Sequence, residues 1–456
     1  MTQVKIIGGG LAGCEAAWQL AERNISVELY EMRPERKTPA HQTSDLAELV
    51  CSNSFRSDDK LANAVGILHE ELRLCGSLIM KIADRHKVPA GSALAVDRNL
   101  FSTDVTKHIH NHQNINVIKQ EVKYIPDNWQ NIIIATGPLT SESLSNFFLK
   151  KNSDGSLYFF DAIAPIIYTD SVDMSYAWFQ SRYNKVGPSG SLNDYINCPL
   201  NESQYKQFVG ELIEADKKSY NEWEANTPYF DSCQPIEVIA RSGPQTLRHG
   251  PMKPFGLNNP HEKNDEPYAV VQLRQDDISG QLYNMVGFQT KIKYGHQTDI
   301  FRKIPGLADA RFARLGGIHR NTYINSPRLL SSDLSLLSDE RIKFAGQITG
   351  VEGYVESTSI GLMSGLMMYN KLKMRRQIPP PITTAMGSLI QYITRKDYVK
   401  NFQPMNVNFG LFPPPPIPEG KRKIKGRDRK LAYATRALND LDRWLGSMHD
   451  TQEASE

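Results

Sequence analysis

Apolar positions along the chain follow two rhythms, and both appear within the first thirty residues. VKII (4–7) is a short apolar run that ends in GGG (8–10), which predicts a buried strand entering a tight turn. LAGCEAAWQLAERN (11–24) then sets Leu11, Ala16, Ala17, Leu20 and Ala21 on one side, the spacing of a helix packed on a sheet. NISVELYEMRP (24–34) predicts a second buried strand. Leu61, Val65, Leu68, Leu72, Cys75, Ile79 and Ile82 step by four and three, which predicts one long helix with one apolar face. NIIIATGP (131–138) predicts another buried strand, and IKFAGQITGVEGYVESTSIGLMSG (342–365) a strand, a glycine-rich turn and a helix. Between these lies a stretch richer in aromatics and turns, where YFFDAIAPIIYT and AVVQLRQ predict strands and NESQYKQFVGELIEADKK a helix. LFPPPPIPEG then sets a last helix, LAYATRALNDLDRWL, apart from the body.

The first strand–turn–helix carries chemistry. Gly8, Gly10 and Gly13 form GxGxxG. The first permits the turn, the second lets backbone approach a pyrophosphate, and the third lets helix and strand pack closely. The helix N-terminus faces the phosphate charge. Glu31 stands where a ribose-binding acid is expected, about 20 residues past the motif. A carboxylate there accepts a ribose 2′-OH and repels a 2′-phosphate, so NAD or FAD is favoured over NADP at this site. The expected lining is Gly8, Gly9, Gly10, Leu11, Ala12 and Gly13 from the turn and Glu31, Met32 and Arg33 from the second strand's end. Ala135, Thr136 and Gly137 close the ATG strand. Gly346, Gln347, Gly350, Val351 and Gly353 supply the late turn. An ATG strand and a late strand–glycine–helix that returns to the nucleotide resemble the two-dinucleotide-fold flavoproteins, and this favours FAD. The late helix would aim its N-terminal dipole at the flavin.

The expected fold class is therefore α/β: a Rossmann-like two-dinucleotide-fold FAD-binding domain, discontinuous in sequence, with an inserted α+β domain. The expected boundaries are 1–159 for the first part of the FAD-binding domain, 160–325 for the insertion, 326–410 for the second part, and 411–456 for a Pro-rich, basic C-terminal segment with a final helix.

Composition adds limits. A chain of 456 residues builds its core without staples, and 23% charged residues is ordinary for a globular protein. No apolar run approaches the roughly 20 residues that span a bilayer, and MTQVKIIGGG offers no secretory signal. The five cysteines make neither a disulfide framework nor a metal site, which points to a reducing cytoplasm. Net charge is only +3, but KRKIKGRDRK (421–430) is strongly basic. Alone it reads as a solvated tail; beside a nucleic acid it reads as a phosphate contact.

Each cysteine is judged singly. Cys75 belongs to the helical stripe and reads as core, and Cys14 as a small residue packed near the nucleotide. Cys198 precedes a proline in YINCPL, so it is extended. Cys51, in ELVCSNSFRS, opens a Ser/Asn-rich segment suited to cap a following helix, and helix N–H groups with Arg56 nearby would lower its pKa. Cys233, beside Asp231 in YFDSCQPIEV, would have a raised pKa, which suits proton transfer. Taken residue by residue, an inert buried cysteine is the favoured reading of both, with a reactive thiol as the alternative.

Many blocks together resemble the TrmFO family, the folate- and FAD-dependent tRNA (uracil-5-)-methyltransferases of bacteria. They include IIGGGLAGCEAAWQLA, LAELVCSNSFRS, NAVGILHEELR, YFFDAIAPII, YINCPL, DSCQPIEV, GPMKPFGL, QLRQDD, YNMVGFQT, FRKIPGL, HRNTYINSP, FAGQITGVEGYVES, TAMGSLIQYIT and NFGLFPP, in order and over nearly the whole length. The pattern differs from that of the longer GidA flavoproteins, which share the first motif. Phe55 stands where family members often have Leu, and Asp231-Ser232 where they often have Glu-Gly.

The resemblance implies methylation of C5 of the T-loop uridine (position 54) of tRNA, with Cys51 and Cys233 as the functional thiols. Carbon comes from 5,10-methylenetetrahydrofolate, electrons from reduced FAD, and NADH or NADPH reduces the flavin. Carbon-5 of uracil is a poor nucleophile; a thiolate added at C6 makes an enolate and activates it. Cys51 is assigned that attack and Cys233 the removal of the C5 proton, with the reverse assignment open. Asn321, Arg274 and Glu352 are expected folate contacts, and Arg56 belongs with the substrate side. Lys421, Arg422, Lys423 and Lys425 are expected on the RNA backbone. The expected partners are tRNA and folate, with no membrane, no metal and no obligate protein partner. Ribosomal RNA is the alternative substrate. A plain FAD oxidoreductase and a non-catalytic RNA-binding flavoprotein are the rival readings.

Overall fold

The computed structural model describes residues 3–38, 40–151, 157–186, 190–217, 234–261, 266–417 and 424–453. The N-terminal part forms β1 (Gln3–Ile7), α1 (Leu11–Ala21), β2 (Ser26–Glu31), β3 (Ser54–Ser57), α2 (Ala64–Leu74), α3 (Leu78–Arg85), β4 (Lys87–Val88), β5 (Ala93–Val96), α4 (Arg98–Asn111), β6 (Ile115–Lys119), β7 (Ile132–Ile134) and α5 (Glu142–Lys151). The middle forms β8 (Leu157–Ile163), β9 (Ile166–Tyr168), β10 (Trp178–Phe179), β11 (Tyr195–Leu200), α6 (Glu202–Glu214), α7 (Ile236–Arg241), α8 (Thr246–His249), β12 (Ala269–Gln275), β13 (Leu282–Met285), α9 (Tyr294–Phe301) and β14 (Phe312–Arg314). The remainder forms β15 (Gly317–Tyr323), α10 (Ser326–Leu329), β16 (Ser335–Leu336), β17 (Asp339–Phe344), α11 (Tyr354–Leu372), α12 (Ala385–Thr394) and α13 (Gly426–Glu453).

The first sheet runs β16-β17-β7-β1-β2-β6. From β17 to β6 every pairing is parallel, and β16 closes one edge antiparallel. The central β7 is a continuous apolar run, Ile132–Ile134, buried throughout because both faces are covered, while β1 and β2 carry Lys5 and Glu28 between apolar residues. The glycine turn that leaves β1 therefore opens at the carboxyl ends of the strands, where open α/β sheets bind ligands. Residues 339–344 complete a sheet begun at residue 3, so this layer is discontinuous in sequence.

The second sheet, β10-β11-β12-β13-β9-β14, is drawn from residues 166–314 and is antiparallel throughout. It has its own core, with Ile167, Ile196, Val271, Leu273, Phe288 and Phe301 fully buried. β8 and β15 pair as a separate two-stranded ribbon between the two regions of the chain.

Two expectations change. The stripe from residue 61 to 82 is not one helix: α2 ends at Leu74, Gly76 turns the chain with φ +70°, and α3 restarts with the Ser77 side chain capping Met80 N. Leu61 lies before the helix and is exposed, while Cys75 sits at the break, partly buried against the core. The final helix, set apart by prolines in the sequence, returns to the body. Tyr433, Ala434, Ala437, Leu441 and Trp444 of α13 enter the same core as Val4 and Leu20, against α2. No helix among the described residues is long and apolar enough to cross a membrane.

Candidate active site

The glycine turn lines a cleft with about 1000 Å³ of empty space, open to solvent. Gly8, Gly9, Gly10, Leu11 and Ala12 form one wall, Glu31, Met32 and Arg33 the next, and Ala135, Thr136 and Gly137 a third. Gln347, Tyr354 and Ser357 reach in from the late turn and the start of α11. A Cβ on Gly8, at φ +108°, would stand 2.4 Å from the Ala135 carbonyl oxygen, and one on Gly13 would stand 1.8 Å from the Gly8 oxygen. Strand, turn and helix approach this closely only without side chains. At Gly10, the N-cap of α1, open space stands where a Cβ would be, and no side chain caps the helix. The first amides of α1 are left to face the cleft, which suits a pyrophosphate.

Glu31 is buried, and its carboxylate accepts from Gly9 N at 2.9 Å and from Arg33 N and Nε at 3.0 and 2.9 Å. Burial would raise its pKa, but Arg33 overrides this and holds the carboxyl below its usual range. An ionised acid at the end of β2 suits ribose hydroxyls. The residues present thus fit a dinucleotide: bare amides for phosphate, an acid for ribose and an apolar interior beyond.

Not every predicted residue lines the cleft. Gly13 packs α1 on β1. Gly346, Gly350 and Gly353 shape the late turn: a Cβ on each would meet Ala12, Phe402 and Glu356 respectively. Val351 is fully buried and bridges to Met405.

Beside the cleft runs the loop with Cys51. The expectation that Cys51 caps a helix is not met: Ser54–Ser57 is strand β3. Arg56 does not face the thiol either; it pairs with the buried Glu356 in the first turn of α11. A titratable neighbour in contact with the thiol is Tyr354, the first residue of α11. Its hydroxyl oxygen accepts from Cys51 N at 3.0 Å and Ser52 N at 3.2 Å, and lies 3.1 Å from Cys51 Sγ. Those two amides occupy the oxygen's two lone pairs, so its single hydrogen is directed at the sulfur. Burial, and then Cys51, push the Tyr354 pKa well up, so the phenol keeps that proton. A sulfur that accepts a hydrogen bond in this way is stabilised as thiolate.

Three arginines hold the same loop. Arg98 donates Nη1 to Leu49 O at 3.0 Å, Arg314 donates Nη1 to Val50 O at 3.0 Å, and Arg274 donates Nη2 to Ser52 Oγ at 2.8 Å and Nε to Asn53 Oδ1 at 3.3 Å. Asn53 is buried and donates Nδ2 to Val96 O and Gln275 O, which ties the loop to β5 and β12. The sequence reading missed Tyr354, Arg98 and Arg314. Tyr354 was findable, because it follows the last glycine of the late turn. Arg98 and Arg314 carry no local signal; only folding brings them to residue 51.

The remaining predicted residues fall into groups. Arg274 lies at the thiol loop. Asn321 is fully buried on β15, which packs on the turns at 137–139 and 347–349, and neither atom of its amide has a hydrogen-bond partner among the described residues. Glu352 is buried and accepts from Gln347 Nε2 at 2.6 Å, a contact within the turn itself. Lys425 is exposed just before α13. Cys233, Lys421, Arg422 and Lys423 lie outside the described residues. Burial raises the other thiols: Cys14 is fully buried and its Sγ donates to Gly9 O at 3.3 Å, and Cys75 and Cys198 are each pushed up to about 12. Cys51 is thus the described cysteine placed for chemistry.

A family model described as GIDA, glucose inhibited division protein A, matches residues 3–376. The methylenetetrahydrofolate–tRNA-(uracil-5-)-methyltransferase TrmFO of a Chelativorans species is 57% identical over 457 residues, covering 97% of each chain. The protein of the same name from Brucella canis is 57% identical over 459 residues, covering 98% of each. The chain belongs to the TrmFO family. GidA of Aquifex aeolicus, in its form I crystal, superposes with a TM-score of 0.66 at 16% identity, over 97% of this chain and 76% of that one. The α/β class with a Rossmann-like, discontinuous FAD-binding fold and an inserted sheet is thereby shown, and TrmFO chains share it with the longer GidA.

Proposed function

We propose that the chain methylates C5 of the T-loop uridine of tRNA, with 5,10-methylenetetrahydrofolate as carbon donor, reduced FAD as electron donor and NADH or NADPH as the source of electrons. The observation that carries this reading is Cys51: a thiol beside the glycine cleft, its sulfur 3.1 Å from the hydroxyl of a buried phenol. The names of the TrmFO relatives, which state folate, tRNA and uracil C5, agree with it.

Bound along Gly8–Ala12, Glu31 and Ala135–Gly137, FAD would supply the two-electron reduction that makes the transferred carbon a methyl group. Cys51 adds to uracil C6, and the displaced π electrons make C5 the nucleophile. Tyr354 holds the loop by accepting from two of its amides and supports the sulfur as it attacks and later as it leaves. Cys233 takes the proton from C5. Asn321 offers an unpaired amide beside the cleft for a folate, while Arg56 and Glu352 are engaged within the protein and act by shaping the site. The basic run from Lys421 to Lys425 meets RNA phosphates, and the target base is taken out of its loop before it reaches the thiol. We also propose the division 1–159, 160–325, 326–410 and 411–456 as domains, and a cytoplasmic site of action.

The test is transfer of label from methylenetetrahydrofolate to bare tRNA transcript and to ribosomal RNA fragments, with the wild type, Cys51→Ala and Cys233→Ala. Labelling of tRNA by the wild type alone is expected. Labelling of ribosomal RNA instead moves the substrate, and full activity in both variants overturns the two-thiol chemistry.

A further inference from the structure

The contacts of the three arginines fall on residues 49, 50, 52 and 53, on both sides of the thiol. They come from different elements. Arg98 opens α4, Arg274 lies on β12 and Arg314 ends β14. The last two belong to the second sheet, whereas the loop leads out of the first.

Their charges are unequally balanced. Arg98 is held by Asp276 through two bonds, Nε to Oδ2 at 2.9 Å and Nη2 to Oδ1 at 2.7 Å. Arg274 donates to a hydroxyl and an amide oxygen, and Arg314 to the carbonyls of Val50 and Ala40. Neither makes an ion pair with a carboxylate among the described residues. Burial pushes both guanidiniums below their ordinary value, and Cys51 is among the groups that push them back up. Among the described residues, the other charged or titratable groups at the loop and its arginines include Tyr354 on α11, Tyr195 on β11 opposite Arg274, Asp276 just after β12, and Glu48 and Arg56 beside the thiol in sequence. Asp276 is taken by Arg98, Glu48 by Arg33, and Arg56 by Glu356. Two guanidiniums with no carboxylate partner of their own among the described residues therefore face the loop that carries the thiol.

We infer that Arg274 and Arg314, with Arg98, are positioning residues that fix the 49–53 loop and keep Cys51 as the thiolate, so that the second sheet sets the charge of a nucleophile carried by the first. The inference rests on Cys51 being the reacting thiol. It reassigns Arg274 from a folate contact to the support of sulfur. It also gives the insertion a task at the site: when β12 and β14 are in place, the thiol is charged.

The test is alkylation of Cys51 by iodoacetamide, read by peptide mass spectrometry on the purified full-length protein across neutral to alkaline pH. The wild-type midpoint is expected at least about one pH unit below the ~8.5 of a free thiol. Arg274→Gln and Arg314→Gln are each expected to raise it by about a unit, slowing alkylation at neutral pH up to tenfold. Arg274→Lys and Arg314→Lys, which keep the charge, are expected to restore most of the shift; a merely structural role would leave Lys no better than Gln. A wild-type midpoint near the free-thiol value overturns the inference. So does an unmoved midpoint in Gln variants that melt as the wild type does. If the Gln variants do not fold, the wild-type and Lys midpoints still decide. Methylation by Cys51→Ala is scored separately, so failure of the nucleophile assignment and failure of the arginine clamp are distinct results.

Discussion

The nucleotide cleft and the thiol loop lie side by side, yet they are made from different materials. The cleft is built of backbone: a glycine turn in which Gly8 and Gly13 have no room for a Cβ, uncapped helix amides and one acid at a strand end. The loop is built of long side chains that arrive from α4, β12, β14 and α11. A backbone site is local and its spacing is fixed by the turn, so it recurs as a motif. A side-chain site is assembled across hundreds of residues, as from Cys51 to Tyr354, and leaves no spacing to find. The cleft binds by shape; the loop sets a charge.

The largest expected effect cuts the two apart. Cys51→Ala should lower methylation by about a thousandfold or more while the purified protein stays yellow, because the cleft contains none of the thiol's atoms. Loss of colour together with activity, read by visible absorbance, would show the two regions to be one unit. The reciprocal cut is Gly13→Val. With a Cβ 1.8 Å from the Gly8 oxygen, it should cost about 3 kcal/mol in denaturant unfolding and lose the flavin. Tyr354→Phe touches both regions. Two loop amides lose their acceptor, so stability should fall by about 1–2 kcal/mol, and the Cys51 alkylation midpoint should rise.

A smaller effect tests whether charge is also set in the cleft's own scaffold. Glu71 is fully buried and accepts from Ala385 N and Met386 N, and burial raises its pKa to about 8 against the lowering effect of those amides. Between the ordinary 4.5 and about 8, the folded protein keeps a proton that the unfolded chain has released. This group's contribution is therefore full below 4.5 and declines as pH rises to about 8. Glu71→Gln does not titrate, so its melting temperature should gain on the wild type across that window. A gain by the wild type instead would mean that the two amides hold the carboxylate ionised. The smallest effect belongs to Asn321→Leu. With no partner to lose, the variant should unfold within about 1 kcal/mol of the wild type, or be more stable, yet show a raised KM for folate. A large loss of stability would make Asn321 structural.

What was legible follows the same division. The order β1–α1–β2, the acid at Glu31 and the late return at 342–365 could all be read, since each is a run of neighbours. The stripe through Cys75 misled, because Gly76 breaks the helix while the apolar period continues across the break. The segment after Cys51 offers Ser and Asn as if to cap a helix, but pairing of Ser54 with Ala95 and Ser57 with Ala93 makes it a strand. Arg56, adjacent in sequence, turned out to serve Glu356, and the cations at the thiol loop came from residues 98, 274 and 314.

The last helix has a consequence for how the molecule comes into being. Trp444, Leu441 and Tyr433 share a core with Val4, and β17 completes a sheet begun at residue 3. A ribosome therefore holds an unfinished nucleotide layer until β17 has emerged, and an unfinished core until α13 has followed it. A message cut short before that helix yields a chain whose α2 face stays greasy and bare, a substrate for proteases and chaperones before it is ever an enzyme.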